Sequence, residues 1–158
     1  MERRVRIAII GIGNTLAGDD GAGIEVVRRL KETYINSSSV MLHTLEGDLF
    51  EITDWLDRAD RFIFIDATVG EVAGEIRRIE RERRPLAPSF HQSDIASVMQ
   101  TLETLKVVTP FPSWEIWGIT VKTPFAWGER LSPEVISAVE RLHHKIEMLI
   151  NEEDAAGR

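Results

Sequence analysis

The stretch GIGNTLAGDDGAGIEVV, residues 11–27, joins a β-branched run to an amphipathic one through a glycine-rich turn. It reads as strand, tight turn and helix, the opening unit of an α/β fold. A dinucleotide fingerprint needs glycine at its first, third and sixth positions. Counting from Gly11, the third position is Gly13 but the sixth is Leu16. The turn also places two acids, Asp19 and Asp20, where a phosphate would sit. A helix N-terminus favours negative charge through its free amides and its dipole. Carboxylates already standing there repel phosphate and favour a cation.

The rest of the chain alternates in the same way. VRIAII (5–10), VMLHTL (40–45), RFIFID (61–66) and WEIWGI (114–119) read as strands, and GEIRRIE (74–80) as a charged edge strand. Helical spacing appears over 21–34, 49–56 and 94–105. It is clearest from Ser132 onward, where Ser132 is the expected N-cap and Pro133 opens the first turn. Such alternation predicts a three-layer α/β sandwich: a mostly parallel, twisted sheet of about five strands with helices on both faces. One domain is expected over residues 1–150, followed by a polar, frayed tail at 151–158.

Composition limits the partners. The chain has 158 residues, 43% hydrophobic and 28% charged, with a formal charge of -7 and no cysteine. A net acidic surface argues against nucleic acid, whose phosphates need a basic face. Without cysteine there are no disulfides, thiolate metal sites or thiol nucleophile, so a metal would be held by oxygen or imidazole nitrogen. No signal peptide and no membrane segment is read, and the expected location is cytoplasmic. No coiled-coil seam appears, and a monomer is expected.

Three residues stand out as candidates. Asp19 reads as a helix cap, which leaves Asp20 for another role. Asp66 ends an apolar strand, either capping the next turn or facing the crevice outside the carboxyl ends of the strands, where α/β sheets bind ligands. If the first and third strands are neighbours, Asp20 and Asp66 converge there. His91, in SFHQSDIASV, lies in a polar loop entering a helix. Two carboxylates and an imidazole make an incomplete shell suited to nickel or zinc. His43, His143 and His144 read as structural or surface residues. No serine sits in a GxSxG elbow.

Together, GIGNTLAGDDGAGIEVV, FIDATVGEVAGEI, SFHQSDI and WGITVKTPFAWGERLSPEVISAV resemble the hydrogenase maturation protease family over nearly the whole chain. The resemblance implies one phosphorylase/hydrolase-like α/β domain and an aspartyl-type endopeptidase. Its activity would trim the C-terminus of a nickel-loaded hydrogenase large-subunit precursor. It implies Asp20, Asp66 and His91 as metal-site and catalytic residues, with nickel brought by the substrate as a recognition element and cadmium or zinc able to stand in. Hydrolysis would use metal polarisation of the carbonyl or a carboxylate base such as Asp20. Asn14 and the amides near Gly11 and Gly13 either contact substrate or only fix the turn. Glu46-Gly47-Asp48-Leu49 departs from the family's Asp-Gly-Gly-Thr loop, and Thr120-Val121 from its Gln-Pro pair. Two rival readings are a noncatalytic metal-binding assembly module and a flavodoxin-like nucleotide-binding domain.

Overall fold

The computed structural model describes residues 4–79, 92–122, 127–128 and 130–156. In chain order its elements are β1 (Val5–Ile12), α1 (Ala22–Tyr34), β2 (Val40–Leu45), β3 (Ala59–Val69), β4 (Ile76–Ile79), α2 (Gln92–Thr104), β5 (Ser113–Val121) and α3 (Pro133–Ala156). Two 3-10 turns, Gly18–Gly21 and Leu49–Asp54, complete them.

The strands form one sheet in the order β2-β1-β3-β5-β4. All pairs are parallel except the edge strand β4, which runs antiparallel to β5. The central strands are apolar in continuous runs because both of their faces are covered. Ile7, Ile9, Ile63 and Ile65 pack with Val27, Leu30, Val139 and Ile146 from α1 and α3. Their strand neighbours Ala8, Ile10, Phe62 and Phe64 point the other way, to Ile52, Ile95, Met99 and Leu102. Burying each large side chain contributes about 1.5–3 kcal/mol. The sheet therefore lies between two helical layers, as the sequence predicts.

Two expectations need correction. Residues 49–54 form a 3-10 turn rather than an α-helix, capped by Asp48, which accepts from the Phe50 amide at 2.9 Å. Leu49 and Ile52 are buried at a spacing of three, which suits the tighter period. Residues 151–156 are not frayed; α3 continues to Ala156, and the last two residues lie outside the described ones. Its last turns are tied down: Arg61 Nη1 pairs with Glu153 at 2.8 Å, Arg6 donates to the Glu153 carbonyl at 3.1 Å, and the Ser39 hydroxyl donates to Asp154 at 3.2 Å.

Candidate functional site at the carboxyl ends of β1 and β3

β1 has β2 on one side and β3 on the other, so the chain changes direction at the β1–β3 boundary, where open α/β sheets bind ligands. The turn after β1 enters this crevice, and most of its backbone amides are committed to protein oxygens. The Gly13 amide donates to the Leu45 carbonyl, Asn14 to Asp20, Ala17 to Asn14, Gly18 to Gly128, and Asp20 to Ala17, at 2.7–3.3 Å. Thr15 donates through its amide and its hydroxyl to Glu46 Oε1, both at 2.8 Å. The Leu16 amide donates to Asn14 Oδ1 at 2.9 Å. Amides given to protein oxygens are not available to a phosphate. The turn is therefore no phosphate cradle, despite its glycines.

Those glycines serve close packing. A Cβ on Gly13 would strike the Asp20 carbonyl, and one on Gly23 would strike the carbonyls of Ile12 and Ile65. The start of α1 thus rests directly on the backbones of β1 and β3. Asn14 fixes the turn through its side chain, and the Gly13 amide is already used within the fold, which removes it as a free donor to substrate.

The adjacent acids do different work. Asp19 does not cap α1, which has no side-chain cap. Its Oδ1 accepts from the Ser132 amide at 2.6 Å and its Oδ2 from the Ser132 hydroxyl at 2.9 Å, just ahead of α3. Asp20 is 8% exposed, on a 3-10 turn that packs against β3.

Asp66 does not end β3 but sits within it. The β1–β3 ladder stops at Gly11 and Ile65, while β3 runs on beside β5 to Val69. Asp66 is fully buried. One oxygen, Oδ1, accepts from the Ala67 amide at 2.8 Å, and the other, Oδ2, is buried without a hydrogen-bond partner among the described residues. An unsatisfied buried polar atom costs about 1–3 kcal/mol. Burial first, and the charge of Asp20 second, push the Asp66 carboxyl well above the usual carboxylate range, against the opposing pull of the Ala67 amide. The structure thus brings Asp20 and Asp66 within electrostatic reach of one another. His91 lies outside the described residues. It precedes α2 by one position in sequence, and Ile95, one turn into that helix, shares a buried cluster with Phe64.

The other histidines are placed elsewhere. His43, in β2, stacks on Trp55 with ring centroids 4.3 Å apart, and His143 and His144 lie on α3. Glu46, which reads in sequence only as a departure from a family pattern, anchors the acid-bearing turn. The parallel register gives the signal: Ile12 stands opposite Leu45, so the residue after Leu45 faces the start of that turn.

Comparison with known proteins bears on the family and the fold. The sequence profile of the hydrogenase maturation protease family matches residues 24–149, a span that includes Asp66 and His91 and begins just after Asp20. The chain is 27% identical over 140 residues to protein FrxA of Pyrococcus furiosus, covering 85% of this chain and 98% of FrxA. It is 31% identical over 101 residues to the hydrogenase expression/formation protein HupD of Thiocapsa roseopersicina, covering 59% of this chain and 45% of HupD, less than half of that relative's length. In structure it is similar to the NiFe hydrogenase maturation protease HybD of Thermococcus kodakarensis, with TM-score 0.75, 24% identity and coverage of 92% and 99%. It is also similar to the hydrogenase maturating endopeptidase HybD of E. coli, with TM-score 0.68, 25% identity and coverage of 94% and 93%. With this fold, this crevice and a profile match over most of its length, the chain belongs to the hydrogenase maturation protease family, a family of endopeptidases.

Proposed function

We propose that this protein is the endopeptidase that removes the C-terminal extension of a hydrogenase large-subunit precursor already carrying nickel. Asp20, Asp66 and His91 would engage that nickel as part of the substrate. The observation that carries the reading is the buried Oδ2 of Asp66, without a hydrogen-bond partner among the described residues and within reach of the Asp20 charge. Two carboxylates that raise each other's cost of ionisation are relieved by a cation, and with an imidazole they form a donor set that suits nickel. Docking of a cationic centre would draw the proton from Asp66 and hold one peptide bond at the strand ends.

Hydrolysis then needs a water to attack the carbonyl carbon, the C–N bond to break, and the departing amine to take a proton. Asp20 is the residue we assign as general base for that water. Leu16 and Trp127, 57% and 85% exposed, flank the turn where the Gly128 amide donates to the Leu16 carbonyl. They offer apolar contact to an extended peptide. Among the described residues no helix is long and apolar enough to cross a membrane. We place the reaction in the cytoplasm and assign it to a monomer.

The test is incubation with nickel-loaded precursor, read by mass spectrometry. A shortened product that is lost with Asp20→Asn, Asp66→Asn or His91→Ala is the expected result. Tight binding without shortening would replace this reading with that of a noncatalytic assembly module.

A further inference from the structure

The second face of interest is on α3, away from the acid-bearing turn. His143, His144 and Glu147 bring one donor atom each within 4.8 Å of one another. Glu147 stands between the two imidazoles: its Oε1 lies 3.7 Å from His143 Nε2 and its Oε2 lies 3.3 Å from His144 Nδ1. His143 Nε2 is buried and has no hydrogen-bond partner among the described residues. A buried imidazole nitrogen of this kind is costly, and 3.7 Å is too long for a hydrogen bond to relieve it. Two donors bound to one tetrahedral ion at about 2.0–2.2 Å each stand roughly 3.3 Å apart. The His144 Nδ1–Glu147 Oε2 pair stands at that spacing, and the His143 Nε2–Glu147 Oε1 pair, through the other oxygen, is wider at 3.7 Å.

The surroundings suit a cation that arrives from solvent. The His144 side chain is 67% exposed, while those of His143 and Glu147 are 15% and 24% exposed, so the donor group is reached from solvent on the His144 side. On the helix, His143 is about 15 Å along the axis from Pro133, at 1.5 Å per residue. This face is therefore separate from the crevice of Asp20 and Asp66.

We infer that His143, His144 and Glu147 form a surface site for a divalent transition-metal ion. Two imidazoles and a carboxylate favour zinc, nickel or copper over magnesium or calcium. Three protein donors leave coordination positions open, which keeps the ion exchangeable rather than locked in place. The site does not depend on the peptidase reading.

The experiment is titration of the full chain with zinc chloride, and separately nickel chloride, by calorimetry. Zinc is also followed through the imidazole nitrogen signals of labelled protein. His143 and His144 signals should move together with one equivalent of zinc. His144→Ala and Glu147→Gln should each weaken that binding by at least about tenfold, while the double variant Asp20→Asn, Asp66→Asn retains it. His144→Ala should fold normally, because the side chain is mostly exposed. Imidazole signals that stay still under a large excess of zinc would overturn the inference, and so would binding of equal strength in both variants, which would leave Glu147 as an ion-pair partner only. The wild-type spectra decide the matter even if Glu147→Gln misfolds.

Discussion

Asp19 and Ser132 are 113 positions apart in sequence, yet both oxygens of the Asp19 carboxylate accept from Ser132, at 2.6 and 2.9 Å. The contact fastens the turn after β1 to the beginning of α3. It also places a negative group at a helix N-terminus, where free amides and the dipole favour it. Replacing Asp19 by Ala should lower stability by about 1–2 kcal/mol. The melting temperature would fall by about 2–4 °C per kcal/mol. Thermal unfolding of the two proteins side by side checks this, and an unchanged transition would mean that the contact contributes nothing.

Asp66 predicts an unusual dependence on pH. Its native carboxyl holds a proton that the unfolded chain, with the ordinary value of 3.8, gives up. Where the native state binds more protons, stability falls as pH rises. The window opens near the unfolded value and closes at the raised native one. Asn at this position has no proton to lose, so the stability of Asp66→Asn relative to wild type should improve as pH rises through that window. Urea unfolding at several pH values measures the gap, and parallel curves would show that the carboxyl is not shifted. Processing should be lost in the same variant.

Glu46 holds the turn through Thr15. Glu46→Ala removes the acceptor for both Thr15 donors and should reduce kcat/KM for precursor by about 10–100-fold. Stability should change by only about 0.5 kcal/mol, because the residue is exposed. Glu46→Gln keeps an acceptor oxygen and should restore most of the activity. Failure of that rescue would point to a role for the charge instead of the hydrogen bonds.

Two glycines offer a controlled comparison. A methyl group on Gly23 would collide with the carbonyls of Ile12 and Ile65, whereas one on Gly47 would meet nothing within 4 Å. Gly23→Ala should cost about 1–3 kcal/mol or more through overpacking. Gly47→Ala should be close to neutral. Equal stabilities in chemical denaturation would mean that α1 can lift off the sheet at little cost.

The layered fold was legible because the runs around Ile9 and Ile63 are apolar without interruption and end at glycine or acid, a pattern that only a two-sided sheet rewards. The approach of Asp20 to Asp66 was legible for a related reason: residues on the carboxyl side of a switch point gather whatever their side chains are, although Asp66 sits inside β3 and not at its end. What sequence could not show were partners fixed by tertiary distance. Asp19 looks like a helix cap when only its neighbours are read, and its true partner appears only when α3 is folded back. The stretch from Asn151 to Ala156 looks frayed by composition, yet Arg6, Arg61 and Ser39 hold it in the helix. Glu46 was visible as an oddity, and only the register of β1 against β2 gives it a purpose.

The anchors of the acid-bearing turn also impose an order on biosynthesis. Its hydrogen bonds to Gly128 and Ser132 come from residues that leave the ribosome late. Domains emerging N-terminus first can form β1, α1 and β2 early. The turn that carries Asp20 cannot take its final shape until those late residues have been made. A nascent or C-terminally truncated chain should therefore remain inert toward its target even after most of the sheet has assembled.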